Sequence, residues 1–526
     1  MSQQERKKVT QAAGVVGLAT LLSRVFGFLR DMAIAYLFGA GPAADAFFVA
    51  FRIPNLLRRL FAEGALTIAF IPIFTEVLLQ KGLEEARALA RSTSGLLCLA
   101  LVVICALGMI FAQEVLSVIA PGFQPGSQTY GLAVTLTRFC FPYIFFISLA
   151  ALSSGILNSR EHFLSPAISP VLLNISLICC ALGLNLDPPV LSLGIGVLAG
   201  GAAQLFIQLP YLKSKGMSIL PGFHFNNPHL KKVITLMLPA AFGAAIYQIT
   251  VLVNTILASF LPSGSVSYLY YADRLVEFPL GIFAVALGTA VLPSLSRQAV
   301  AGNYDDFIAT ANYGLRLTMF ICLPAMVGLI LLAEPIVSVF FGRGRFGAQD
   351  VSATALALWG YGIGLWAFAG LRALLPAFYA LKDTKTPVKV GVIVLIINII
   401  AGLILMRIWQ HVGLALATSI SSAANFTILL YLLRRKLGYI GFKKIIKSAL
   451  GSLLACLLMG GAVTGGLLLI GRYHDWQQAS HLTSAMYIIL LVIVGAGVYL
   501  LAARALRLPE VNELTQMLKR KKKLTQ

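Results

Sequence analysis

The sequence predicts an all-α polytopic membrane protein of about fourteen transmembrane helices, built as two pseudo-twofold-related six-helix lobes plus two C-terminal helices. Three observations carry that prediction. Apolar residues make up 58% of the 526 and charged residues only 12%, whereas soluble domains are about 25% charged, so a large water-soluble core is excluded. Apolar runs long enough to cross a bilayer recur along the whole chain. The first half also reappears in the second at a shift of about 222 positions.

Taken in order, the spans fall at 13–38, 45–78, 93–119, 131–157, 165–184, 190–212, 234–260, 265–294, 310–333, 351–379, 387–406, 411–433, 448–471 and 483–505. Several are longer than a bilayer requires and imply tilt or protrusion. Arg6, Lys7 and Lys8 precede the first span, and every second loop afterwards is basic, from Lys81, Arg87 and Arg91 to Lys382, Lys385 and Lys389, then RRKLGYIGFKK and KRKKK. The alternate loops GAGPAA, APGFQPGSQTY, NLDPP and PSGS carry no basic residue, while Arg343, Arg345, Arg407 and Arg472 are exceptions. This bias places both termini in the cytoplasm. The first apolar run carries Arg24 and Arg30 and lacks a small-residue cleavage site, so it does not read as a cleavable signal. The net charge of +21 does not imply nucleic acid, because most basic residues sit in these short loops. The seven cysteines fall in apolar spans without metal-type spacing and read as small buried hydrophobes.

In the repeat, Ala50, Arg52, Phe61, Ala62 and Thr67 meet Ala272, Arg274, Phe283, Ala284 and Thr289; further along, Glu114 meets Glu334. Each unit holds an even number of spans, so both keep one orientation about an axis along the membrane normal. The expected organisation is residues 1–220 for the first lobe, 221–440 for the second, and 441–526 for the two added helices with a basic cytoplasmic tail.

Arg24, Arg30, Arg52, Arg58 and Arg59 lie inside the first two spans, with only Asp31, Asp45 and Glu63 nearby. Each arginine at mid-bilayer costs about 2.5 to 3.5 kcal/mol on insertion scales, so the group is expected to line a wet internal cavity rather than face lipid. Planar two-pronged donors suit phosphate. Arg274 is the counterpart of Arg52 in the second repeat, which places basic residues of both lobes around one central cleft. The bland alternative is that each arginine pairs with a neighbouring acid, as Arg274 could with Asp273 or Glu277.

At about 100° per residue, Arg52, Asn55, Arg59 and Glu63 share a helix face and Arg58 points away, unless Pro54 kinks the helix and resets its phase. Arg24 and Asp31 align, and Arg30 joins them only if the helix bends near Gly27, a bend that is expected here. Tyr270, Arg274 and Glu277 form one stripe.

The strings SRVFGFLRD, GAGPAADAFFVAFRIPNLLRRLFAEGA, FPYIFFISLAALSSGILN, SGSVSYLYYADRLVEFPLGIFAVALGTAVLPSLS and DTKTPVKV resemble the MurJ (MviN) lipid II flippases of the multidrug/oligosaccharidyl-lipid/polysaccharide exporter superfamily. The resemblance covers nearly the whole chain. It implies a fourteen-helix inner-membrane protein that moves undecaprenyl-diphosphate-linked disaccharide pentapeptide from the cytoplasmic to the periplasmic leaflet; alternating access is expected from the repeat architecture, and no cofactor is expected. It also implies functional roles for Arg24, Arg30, Arg58, Arg274 and Asp45, and favours Arg58 over Arg59 as the cavity residue. Arg52, Asn55, Arg59 and Glu277 complete the expected substrate-binding set. Lipid II and membrane lipids are the expected partners, with a monomer as the open expectation.

Two other classes stay in view: an exporter of another polyprenyl-linked saccharide or of cationic drugs, and a polyprenyl-phosphate enzyme. A cationic drug would want an acidic or aromatic cleft. An enzyme would want acid/base or metal-binding constellations, yet the six histidines all lie in or beside loops and form none. Spans seven, eleven and twelve contain no Asp or Glu, which argues against a carboxylate sodium site in the second lobe.

Overall fold

The computed structural model describes residues 3–59, 66–224, 226–472, 476 and 480–513, and every regular element among them is helical. Packing divides the chain into two compact units, Met1–Ser267 and Tyr268–Gln526. The first unit holds α1 (Gln3–Phe38), α2 (Pro42–Leu57), α3 (Thr67–Lys81), α4 (Leu83–Ile110), α5 (Ala112–Ile119), α6 (Gln128–Cys140), α7 (Tyr143–Ser159), α8 (Leu164–Gly183), α9 (Leu191–Phe206), α10 (Leu209–Ser214) and α11 (Pro228–Ser259). It also contains the first residues of α12 (Ser265–Pro279). The second unit holds the rest of α12, then α13 (Val285–Val300), α14 (Tyr304–Leu331), α15 (Ala333–Phe341), α16 (Ala348–Gly362), α17 (Leu365–Ala380), α18 (Lys385–Leu437), α19 (Phe442–Gly471) and α20 (His481–Ala505).

Among the described residues, nine helical stretches are long and apolar enough to cross a membrane, or ten when α16 and α17, bent by 44°, count as one span. Particular elements account for part of the difference from the expected count of about fourteen. The 53-residue α18 contains two predicted spans separated by non-helical backbone at Trp409 and Gln410. In turn, α2 and α3 are each too short to cross alone, so one predicted span is shared between them.

The helix breaks recur between the halves. Residues 58, 59 and 66, between α2 and α3, are π-helical, and so is Leu280–Ala284 between α12 and α13. A one-residue interruption separates α4 from α5 and α14 from α15, leaving Glu114 and Glu334 in the first turn of each short helix. The pairs α6/α7 and α16/α17 are broken at Phe141–Pro142 and around Gly364, where a missing proline N–H or a glycine lets the ladder part.

The packing boundary at Ser267 lies beyond the repeat boundary near 220, because α11 packs on α3, α4 and α5. Leu230 and Val233 of α11 are buried with Phe70, Phe74 and Leu89 in the core of the first unit. Gly122 allows the α5–α6 loop to meet the end of α11, donating its N–H to Ser259 Oγ at 3.0 Å where a Cβ would strike the α11 backbone. In the second unit the core gathers Phe307, Phe320, Leu374, Phe378 and Phe426 with Cys456 and Tyr499 of α19 and α20. The outer faces of those last two helices remain apolar and exposed, for example at Leu457, Leu458, Leu468, Ile489, Ile493 and Leu501, as lipid contact requires.

Candidate functional site

In the first unit, α1 runs as one helix through Gly27 and presents its two predicted arginines differently. Arg24 is exposed. Arg30 is 8% exposed and Asp31 1%. The Arg30 guanidinium donates from Nε (3.0 Å) and Nη2 (2.7 Å) to Asp31 Oδ1, and from Nη1 to Asn174 Oδ1 at 3.1 Å. Asn174, on α8, is itself held by donating to the Ser23 and Pro170 carbonyls. Burying an arginine in an apolar helix is tolerable only with such a partner set. Arg30 therefore follows the neighbouring-acid alternative in this conformation, and Asn174 is a partner that sequence reasoning missed. Its only signal was a lone amide in an apolar span.

Asp45, in the first turn of α2, is 2% exposed. Its Oδ2 accepts from the Gly264 N–H at 2.6 Å, and its Oδ1 from the Ser267 N–H at 2.9 Å and Oγ at 2.6 Å. These donors form the beginning of α12, where orphan amides and the positive end of the helix dipole favour a carboxylate. Gly264 reaches the position with φ +94°, a conformation suited to glycine.

Around the π-helical end of α2, Arg52 and Asn55 are half-buried, Arg58 is half-buried and Arg59 is exposed. Arg58 donates from Nε (3.2 Å) and Nη2 (2.9 Å) to Asn55 Oδ1. Arg58 and Asn55, three residues apart, thus meet as helical neighbours. The Glu63 expected beside Arg59 lies outside the described residues, as does the KRKKK tail.

In the second unit, Arg274 lies against its own helix. Its Cζ stands 5.1 Å from the Tyr270 ring centroid, and Nη2 donates to the Tyr270 hydroxyl at 3.2 Å. Glu277, a turn further on, accepts from Arg372 Nη2 of α17 at 3.1 Å. The Tyr270, Arg274 and Glu277 stripe therefore carries a second arginine that sequence reasoning overlooked. Its signal was present, since Arg372 interrupts the apolar run 351–379. Among the described residues no group of three or more His, Cys, Asp or Glu side chains could hold a metal ion.

Each unit thus offers guanidinium groups within apolar helices, some buried against acids and others only partly covered. Partly covered guanidinium groups can exchange local hydrogen bonds for phosphate oxygens at small cost.

Known proteins share this chain's sequence and architecture. The family model described as lipid II flippase MurJ matches residues 34–487. The chain is 38% identical over 512 residues to a probable lipid II flippase MurJ of Vibrio cholerae serotype O1, covering 93% of this chain and 97% of that protein. It is 42% identical over 425 residues to a lipid II flippase MurJ of Burkholderia cenocepacia, covering 80% and 82%. A solved structure described as lipid II flippase MurJ, inward closed conformation, superposes with a TM-score of 0.78 at 29% identity, covering 93% of this chain and 98% of that one.

Proposed function

Because the chain belongs to the MurJ family of lipid II flippases, we propose that it moves undecaprenyl-diphosphate-linked peptidoglycan precursor from the cytoplasmic to the periplasmic leaflet of the bacterial inner membrane. It is a multi-pass membrane transporter and not an enzyme. The observation that carries the substrate reading is the placement of Arg24, Arg58 and Arg274, exposed or half-buried, within helices that are otherwise largely apolar. Each unit offers the diphosphate its own basic groups. On this reading Arg30, Asp45, Arg52, Asn55, Arg59 and Glu277 serve as orienting or alternative contacts.

A diphosphate sugar head sheds water at high cost on entering hydrocarbon. Its prenyl tail has the opposite problem, because each CH2 drawn into water costs about 0.8 kcal/mol. The head therefore passes by alternating access over the arginines while the tail stays in lipid, against the small-residue faces of α19 and α20. Both termini lie in the cytoplasm on this reading, as the basic loops require. Moving a charge through the field is worth about 2.3 kcal/mol per 100 mV, so an arginine-bound head can be driven by membrane potential.

The test is replacement of the resident flippase in a bacterium depleted of it. The parent chain should restore wall synthesis, and Arg24→Ala, Arg58→Ala and Arg274→Ala should each fail while still reaching the membrane. Purified parent protein should move labelled lipid II across vesicles, but not amphipathic cations. Failure of the parent to move lipid II, or full rescue by all three variants, would sink the assignment.

A further inference from the structure

The start of α14, the end of α18 and the start of α19 enclose a cavity of about 440 Å³ in the second unit. Its lining includes Asp305, Asn312, Arg316, Leu437, Tyr439 and Lys444, none of which belongs to the arginine groups above. Arg316 is committed elsewhere. It donates to Glu510 at 2.7 Å and to Glu513 at 3.2 Å, and the fully buried Glu510 also accepts from Ser448 Oγ at 2.9 Å. Two carboxylates more than offset its charge, so Arg316 is a wall of the cavity and not an anion receptor. Asn312 donates its amide hydrogens to the Ile440 and Gly441 carbonyls, both at 3.0 Å, which leaves its Oδ1 as an acceptor.

The charges left over are Asp305 on α14 and Lys444 on α19. Both are exposed, and neither is in an ion pair among the described residues. Lys444 stands in the first turn of α19, which has no acidic residue and no side-chain cap, so unspent amides and the helix dipole add to its positive field. The cavity sits where membrane-crossing helices begin and end. Arg434, Arg435 and Lys436 close α18, Lys443 and Lys447 open α19, and Tyr439 is 68% exposed between them, the pattern of a headgroup-level belt.

We propose that this cavity binds the zwitterionic headgroup of a phospholipid of the phosphoethanolamine class. The phosphate lies toward Lys444 and the start of α19, and the primary ammonium toward Asp305 and Asn312 Oδ1. A purely anionic headgroup would bring a second negative charge to Asp305 without an amine to answer it. A choline headgroup has no N–H for Asp305 or Asn312 to accept.

Native mass spectrometry of the detergent-purified full chain, with equimolar phosphatidylethanolamine, phosphatidylglycerol and phosphatidylcholine, reads the preference directly. The parent should retain phosphatidylethanolamine several-fold over either competitor. Asp305→Asn should erase the preference over phosphatidylglycerol, Lys444→Gln should lower retention of both, and Lys443→Gln should change neither. Both test residues are exposed, so the unfolding midpoints should match the parent. Equal retention of the three lipids, or a preference that survives both substitutions, overturns the proposal. Displacement by soluble O-phosphoethanolamine with no retention of the lipid overturns the lipid source and assigns the cavity to a soluble ligand.

Discussion

Asp45 and Ser267 are 222 positions apart, the shift that aligns the two repeats, and they are hydrogen-bonded through both the backbone N–H (2.9 Å) and the hydroxyl (2.6 Å) of Ser267. Each repeat thus presents a different residue at one equivalent position, an acceptor in the first and a donor in the second. The carboxylate also takes the Gly264 N–H, so one charged group fastens the beginning of α12. Asp45→Asn keeps one acceptor oxygen but loses the charge, which costs about 1.5 to 3 kcal/mol where a hydrogen bond to a charged group is lost. Hydrogen exchange at the Gly264 and Ser267 amides should accelerate about tenfold or more, since 1.4 kcal/mol is a factor of ten. Unchanged protection at both amides would refute the capping role.

The all-helical membrane architecture was legible because hydropathy and loop charge report on the lipid solvent directly. The site was legible only as a set of residue types. Projection at a uniform helical period turned Arg58 away from Arg52, and it gave no sign that the chain becomes π-helical at Arg58 and Arg59. Periodicity cannot foresee a change of period. Nor could it pair Arg30 with Asn174, 144 residues away, or Glu277 with Arg372, because those contacts depend on which helices pack together. The division at Ser267 was hidden for the same reason, since α11 repeats α1 in sequence order but packs with the first unit.

Arg30 and Asp31 form an ion pair whose removal tests whether Arg30 supports the fold or the substrate. Both side chains are almost fully buried, and deleting one partner of such a pair typically costs about 3 to 5 kcal/mol because the other charge is stranded. Asp31→Asn and Arg30→Ala should each lower the thermal unfolding midpoint of the purified protein, and Arg30→Lys should not restore it, because one ammonium cannot reach both Asp31 and Asn174 as the guanidinium fork does. Loss of lipid II movement in Arg30→Ala at an unchanged midpoint would instead make Arg30 a ligand contact.

The loop between α17 and α18 should respond to acid through Asp383. Lys436 donates to Asp383 Oδ2 at 2.9 Å, and the Thr386 N–H and hydroxyl donate to the same carboxylate. The Lys436 hydrogen bond, aided by Thr386, holds the Asp383 carboxyl at about 2 against an ordinary 3.8, despite partial burial. A depressed folded-state value means that the stabilisation is fully present above the ordinary value and disappears as pH falls through about 2. Lys436 is partly exposed, so screening limits the pair to about 1 kcal/mol or less. Lys436→Met should unfold slightly earlier than the parent by a constant margin from pH 7 to about pH 4, with the two converging toward pH 2. A margin that grows on acidification would show that the sign is wrong.

Glu277 and Arg372 offer the clearest separation of charge placement from stability. Their ion pair is 3.1 Å long and each side chain is about one-third exposed, so breaking it should cost no more than about 1 kcal/mol. Arg372 nevertheless stands on a helix whose backbone approaches α13 closely, since a Cβ on Gly288 would come within 2.6 Å of the Arg372 carbonyl. The guanidinium is therefore delivered from a fixed backbone position. Glu277→Gln and Arg372→Gln should leave the unfolding midpoint nearly unchanged. If Glu277 serves to offset positive charge near Arg274, Glu277→Gln should slow release of bound lipid II and reduce vesicle flipping. The exchanged double variant Glu277→Arg with Arg372→Glu should recover a substantial part of that activity, because it preserves both the net charge and the pair. Recovery no better than the poorer single variant would mean that Glu277 acts from its own position on α12 and not through Arg372.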